Sequence, residues 1–437
     1  MYDPNDLSVF PISAGLDCNG QLTVAGHNLA ELAKNYGTPL YVYDGGTIRN
    51  RVSTIKENLD RYYPGVSETA YAVKAYFSSV FAGKLANLGI GADVVSLGEL
   101  HVGKKAGFSA DGIHLHGNNK TEAELREALD WGIQAIVVDS LDELSFLESI
   151  AKEVGKVARI WLRITPDLKV NTHPHIETSN TGSKFGLHII NRQASIAINR
   201  AQSSEWLDLA GLHTHLGSQI FDTMPYISAI KMLFALAEEE HYIPREISPG
   251  GGWGIRYTEA DAARDDVESW VKAASETVKD EAEKRGWPLP KLVLEPGRWI
   301  VGRAGVALYS IGSQKDLPDG LHIAAVDGGM ADNPRVALYQ ADYTARVAQR
   351  AGMQHDQPVR IVGRFCESSD VLIPEITLPK LQRGDVLAVP AAGAYQLSMA
   401  SNYNFATRPA VLWLEEGSVE IMQNREHADQ PCWWMTI

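Results

Sequence analysis

Tyr71-Ala72-Val73-Lys74 closes an apolar, strand-like segment (residues 69–73) on a lysine, and the same pattern recurs down the chain. Residues 92–95, 113–116, 135–138, 159–164, 210–215, 246–248 and 292–295 complete a set of eight such runs. Helical patterns lie between them, among them 122–129, opened by a Thr121-x-x-Glu124 capping box, and 142–154. Eight strands alternating with helices predict a parallel α/β architecture, and the number favours a closed (β/α)8 barrel of the TIM type. A doubly wound open sheet is the alternative, but no Gly-x-Gly-x-x-Gly follows the first strand. Barrel active sites lie at the C-terminal ends of the strands. Lys74, His116, Asp139, Arg163, His215, Gly250 and Glu295 all fall at or just past such an end, whereas random polar placement would scatter some to the other face.

Past about residue 305 helix periodicity gives way to short β-branched runs at 305–311, 321–326, 359–362, 386–389 and 410–414. These predict a mostly antiparallel β-domain, joined by the strand-like N-terminal stretch Leu22-Thr23-Val24-Ala25-Gly26. The expected division is 1–37 for the N-terminal contribution to the β-domain, 38–304 for the barrel and 305–437 for the C-terminal β-domain.

Composition narrows the function classes. With 437 residues and 45% hydrophobic content the chain can bury a large core. A formal charge of −14 argues against nucleic acid or anionic membrane as a partner, since both call for clustered lysine and arginine. No apolar run approaches a membrane span and the N-terminus shows no secretory pattern. Three cysteines, Cys18, Cys366 and Cys432, cannot pair completely, which predicts a reduced, cytoplasmic protein. No metal is expected: no Cys/His spacing resembles a zinc site, and His173, His175 and Glu177, in a polar loop, are not read as ligands.

Three segments answer Lys74: His213-Thr214-His215-Leu216-Gly217-Ser218, Gly250-Gly251-Gly252 and Glu295-Pro296-Gly297-Arg298. Together they offer an amine able to form a Schiff base, an imidazole, a phosphate cradle and a carboxylate, which is what pyridoxal 5′-phosphate (PLP) asks of a protein. A strand-end lysine alone more often snorkels to solvent, and a triple glycine alone is more often a turn. Glycines at the seventh strand end of a barrel fit a phosphate site, because backbone N–H groups can approach closely there.

On these pieces the chain resembles the fold-type III PLP-dependent decarboxylases, with their alanine-racemase-like barrel, and within them the diaminopimelate decarboxylase branch. The resemblance also rests on His116-Gly117-Asn118-Asn119-Lys120, the 173–178 loop with Lys184-Phe185-Gly186, Val326-Asp327-Gly328-Gly329-Met330, Cys366-Glu367-Ser368, and Gly393-Ala394-Tyr395. It implies that Lys74 carries PLP covalently, that Glu295 faces the pyridine nitrogen, and that His215 stacks on the ring. Gly250, Gly251, Gly252, Gly297, Ser218 and the Arg298 backbone would hold the phosphate, and Tyr395 would contact both cofactor and substrate. His213 is assigned to the opposite side of its strand and given no role. For a lone cysteine a buried filler is the default, but the family places its proton donor at Cys366 and contributes it across a dimer interface. The resemblance therefore implies an obligate homodimer with shared active sites.

Substrate choice follows from charge. Diaminopimelate carries a distal carboxylate that lysine and ornithine lack, and bidentate donors recognise such a group. By resemblance Arg298, Arg335 and Tyr339 supply them, and Glu367 would accept the distal ammonium. The implied reaction is decarboxylation of meso-2,6-diaminopimelate to L-lysine and CO2, the last step of lysine biosynthesis. The alternatives are a decarboxylase of another amino acid with a distal carboxylate, such as carboxynorspermidine, and a non-catalytic PLP-binding barrel. Tyr76 and Trp253 depart from the family pattern and are expected to reshape the pocket mouth.

Overall fold

The computed structural model describes residues 6–166, 183–261 and 266–429. His173, His175, Glu177 and Cys432 lie outside the described residues. The chain forms two compact units, one of Met1–Arg51, Ile255–Ala263 and Ile300–Ile437, the other of Val52–Gly254 and Arg264–Trp299.

The second unit is the barrel. Its parallel strands run in chain order: Ser67–Ala72, Gly91–Val94, Ile113–Leu115, Ala135–Val138, Ala158–Thr165, Leu207–His213, Glu246–Gly250 and Lys291–Leu294. Each pairs with the next, and Lys291–Leu294 returns to Ser67–Ala72, which closes the ring. All eight expected strands are present within a few residues of their predicted bounds. The expected helices appear as Glu122–Trp131 and Leu141–Val154, the first opened by the Thr121/Glu124 capping box. Part of the interior is filled by small and planar apolar groups, Ala70, Ala135, Val137, Trp161, Ala210 and Val293. Small residues beside one indole leave room for polar side chains from the same strands.

In the first unit a nine-stranded, mostly antiparallel sheet is built around the long strand Gly305–Asp316. That strand pairs with Leu40–Asp44, Val386–Val389 and His322–Val326. The N-terminal contribution differs from expectation. Leu22–Val24 forms a small separate sheet with Gly15–Leu16 and His27–Asn28. It is Leu40–Asp44, assigned from sequence to the barrel segment, that enters the large sheet, between Gly305–Asp316 and Ala410–Glu415. The physical reason is burial: all five of its residues are buried, and the apolar Leu40 and Val42 join the core that holds Val306, Leu308 and Leu412.

Candidate active site

Lys74 does not sit on a strand. The first barrel strand stops at Ala72, and Val73–Ala75 is a single 3-10 turn whose flanking residues are buried while Lys74 is exposed. The turn is tied down by the Tyr71 hydroxyl, which donates to the Tyr76 carbonyl at 2.9 Å. The turn thus leaves the Lys74 side chain exposed just past the end of the first barrel strand.

Glu295, the first residue past the eighth strand, is buried, and its carboxylate is held from two sides. His213 Nε2 lies 3.0 Å from Oε2, and the Ser248 hydroxyl donates to Oε1 at 2.8 Å. His116 Nε2 stands 3.7 Å from Oε1 and 3.5 Å from Asp93 Oδ1. Burial works against a charge on Glu295, but the His213 and His116 imidazoles outweigh it and hold the carboxyl well below the usual carboxylate range. Asp93 goes the other way: burial and the neighbouring Glu295 charge push it well above its ordinary value. The pair thus concentrates negative charge on Glu295. His215, half-buried, is kept neutral by desolvation and by the Lys74 charge.

The glycine loop is dictated by packing as well as by any ligand. Gly250 and Gly252 have φ of +77° and +97°, and a Cβ on Gly250 would come within 2.7 Å of the Thr214 carbonyl. All three loop carbonyls are engaged inside the barrel: Gly250 O accepts from Glu295 N at 3.1 Å, Gly251 O from the Tyr226 hydroxyl at 2.6 Å, and Gly252 O from Ile220 N at 3.0 Å. Gly250 N–H donates to the Ser248 hydroxyl at 3.1 Å, so what the loop can offer a ligand is the N–H edge of Gly251 and Gly252, as an anion requires. Beside it the buried Arg298 donates from Nη2 to the Ser218 hydroxyl at 2.9 Å. Gly297 brings the eighth strand end against the first, where a Cβ would lie 3.0 Å from the Ala72 carbonyl.

The remaining candidates belong to the β-unit. Cys366 and Glu367 are exposed on the loop between Gln357–Val362 and Val371–Leu378, so Cys366 is not a buried filler. The buried Asp370 carboxylate fixes that loop, accepting from Met330 N at 2.7 Å and Phe365 N at 2.8 Å. Tyr403 donates its hydroxyl to Glu367 and packs edge-on against Phe365. Arg335 opens the short helix Arg335–Tyr339 and is buried, unlike the surface charge its sequence neighbourhood would allow. Its Nη1 donates to the Tyr343 hydroxyl at 2.5 Å, and its guanidinium lies 4.7 Å from the Tyr257 ring centroid. Tyr339 ends the same helix, half-buried. Tyr395 is half-buried and adopts φ +61°, a left-handed conformation that costs a tyrosine energy.

Two expectations are corrected. His213 and His215 are two residues apart, and residues two apart share a face of a strand; His213 points at Glu295, and Ser248, which no motif marked, joins it there. Tyr76 and Trp253 are taken up by aromatic packing: Tyr76 is buried against Phe81, ring centroids 5.3 Å apart, and Trp253 stacks on Trp270 at 5.8 Å.

The barrel residues fit PLP. An ionised carboxylate at the base, an exposed amine on the first strand end and an N–H loop with Ser218 and Arg298 match a pyridine nitrogen, an aldehyde and a phosphate. Buried polar atoms with no hydrogen-bond partner among the described residues, His116 Nε2, Asp93 Oδ1 and Asp139 Oδ1, mark a polar chamber rather than a sealed core.

Comparison with known proteins agrees. Residues 45–302 match the family model described as "Pyridoxal-dependent decarboxylase, pyridoxal binding domain". The chain is 45% identical to diaminopimelate decarboxylase of Bacillus subtilis over 93% of each sequence. It is similar in structure to diaminopimelate decarboxylase from M. jannaschii, with TM-score 0.89, 32% identity, and 97% of this chain and 96% of that chain covered. The same enzyme in co-complex with L-lysine matches with TM-score 0.88 and 32% identity over 98% of this chain and 97% of that one. With that identity spread over nearly its whole length, the chain belongs to the diaminopimelate decarboxylase family of PLP-dependent decarboxylases.

Proposed function

We propose that this chain decarboxylates meso-2,6-diaminopimelate to L-lysine and CO2, with PLP as cofactor, in the last step of lysine biosynthesis. The observation that carries the substrate reading is Arg335, a buried guanidinium aligned by Tyr343 and Tyr257. A cation held in that way serves a carboxylate, and leaving it unmatched against lysine or ornithine would carry a desolvation penalty. The M. jannaschii relative has been crystallised with L-lysine, the expected product.

When bound, PLP supplies the electron sink that accepts the pair released as CO2 departs. The chain does the rest. Lys74 would hold the cofactor covalently, Glu295 would keep its charge for the pyridine nitrogen, and His215 would pack on the ring. Gly250, Gly251, Gly252, Gly297, Ser218 and Arg298 hold the phosphate, and Tyr395 contacts cofactor and substrate. Arg298, Arg335 and Tyr339 take the distal carboxylate, and Glu367 the distal ammonium. Cys366 delivers a proton to the carbon that has lost CO2. An exposed thiol on a loop held by Asp370, which accepts from Phe365 N within the loop and from Met330 N outside it, suits donation to a partner's site. The working form is a homodimer with shared active sites, in the cytoplasm.

Incubation with PLP and meso-diaminopimelate should yield CO2 and L-lysine. Borohydride reduction should fix the cofactor on a peptide containing Lys74. Label on another lysine would overturn the Lys74 assignment, and equal turnover of lysine or ornithine would overturn the distal-carboxylate reading. Faster turnover of carboxynorspermidine would leave the reaction class standing and change the substrate.

A further inference from the structure

We infer that His213 is a positioning residue for the cofactor: with Ser248 it fixes the orientation and charge of Glu295, so that PLP binding depends on its Nε2–H. This rests on the reading of Glu295 as the partner of the pyridine nitrogen. His213 and Ser248 are register partners on neighbouring parallel strands, and Glu295 follows the next strand round the barrel. Two donors from adjacent strands thus converge on the two oxygens of one carboxylate, at 3.0 Å and 2.8 Å. At 3.0 Å from an ionised carboxylate the imidazole must present its proton on Nε2. Each oxygen keeps a second acceptor position for a ligand.

The imidazole has little freedom to turn away. It lies nearly parallel to Trp161, interplanar angle 12°, and meets His116 edge-on with ring centroids 4.8 Å apart. Trp161 is itself anchored by Nε1, which donates to Glu246 at 2.6 Å, and is packed from its other neighbour by His114 at 4.4 Å. A buried carboxyl with no such donors would take up a proton and lose the charge that a pyridinium needs. His213, 1% exposed, therefore acts on the cofactor through Glu295.

The test is PLP titration of the apo-protein, followed by absorbance, for wild type, His213→Leu, His213→Gln and Glu295→Gln. Leucine removes the donor, and losing one hydrogen bond to a charged group weakens PLP binding about 10- to 150-fold. Glutamine places an amide nitrogen near the position of Nε2 and should bind within about fivefold of wild type, since a neutral donor remains. His213→Leu should add little on a Glu295→Gln background, because the two act as one unit. Equal losses for Leu and Gln, in step with the apo-protein melting temperature, would reduce His213 to packing and overturn the inference. Additive losses in the double variant would overturn it as well. Wild-type PLP affinity in Glu295→Gln would instead remove the Glu295 reading, and this inference with it.

Discussion

Asp370→Asn tests whether the proton-donor loop is set by one buried carboxylate. In the folded chain Oδ1 and Oδ2 each accept a backbone N–H, from Met330 at 2.7 Å and from Phe365 at 2.8 Å. Asparagine keeps the size but must turn its NH2 toward one of those amides, so one bond is lost and one N–H is left unpaired. Such a loss costs about 1–3 kcal/mol, or a factor of about 5–150 in the equilibrium that holds the loop in place. The loop carries Cys366 and Glu367, and Gly363 and Gly329 are closed around the carboxylate so tightly that a Cβ on either would collide with it. The assay is kcat with saturating diaminopimelate for Asp370→Asn, Cys366→Ala and the double variant, alongside melting temperatures. kcat should fall by up to that factor in the single variant, and Asp370→Asn should cost little once Cys366 is gone. A single variant within about twofold of wild type, or losses that multiply in full in the double variant, would refute the reasoning.

Cys366→Ala should slow turnover on the order of 10²–10⁴-fold while leaving PLP bound. Mixed with Lys74→Ala chains it should regain activity, because one site of each mixed dimer holds both residues; no rescue despite demonstrated subunit exchange would count against shared sites. Arg335→Ala should lose roughly 10- to 150-fold in kcat/KM for diaminopimelate, the cost of one charge-assisted contact, with far less change for lysine, read by comparing the two substrates. Burial drops His114 from its ordinary 6.5 to about 3. The native state therefore keeps it neutral while the unfolded chain takes up a proton below 6.5, so its stability is fully present above pH 6.5 and is lost as pH falls toward 3. The slope is up to about 1.4 kcal/mol per pH unit. His114→Phe should flatten the fall in urea midpoint between pH 6.5 and 5.

The barrel was legible because its signals are local. Most strands are short apolar runs, five barrel helices open on a Ser, Thr or Asp cap, and the chain order of the strands is their spatial order. The barrel candidates were marked by position, since a residue that closes a barrel strand faces the open end, whereas Cys366, Glu367, Arg335, Tyr339 and Tyr395 came only from the family resemblance. The β-unit was less legible. Five of its nine strands were expected, whereas Arg346–Val347, Val371–Leu378 and Ser418–Gln423 were missed. The pairing of Leu40–Asp44 with Ala410–Glu415 joins distant parts of the sequence, and no local pattern encodes it. Ser248 sat unnoticed at the end of the 246–248 segment, and its contact appears only once the neighbouring strand brings Glu295 beside it. The buried state of Arg335 likewise depends on Tyr257, which belongs to the same unit although its short segment lies in sequence between two barrel segments.

The position of Leu40–Asp44 has a consequence for how the protein is made. This strand lies in the interior of its sheet, with Gly305–Asp316 on one edge and Ala410–Glu415 on the other. On the ribosome it emerges first and both neighbours emerge late. The barrel strands between residues 67 and 294 can pair in the order in which they leave the tunnel, but Leu40–Asp44 must wait with both ladders of N–H and C=O groups open. An unpaired apolar strand of that kind is a template for wrong partners. Deleting Ala410–Glu415 would leave one of those edges permanently open, so a chain shortened before residue 410 should be recovered chiefly as aggregate even though every barrel strand is intact.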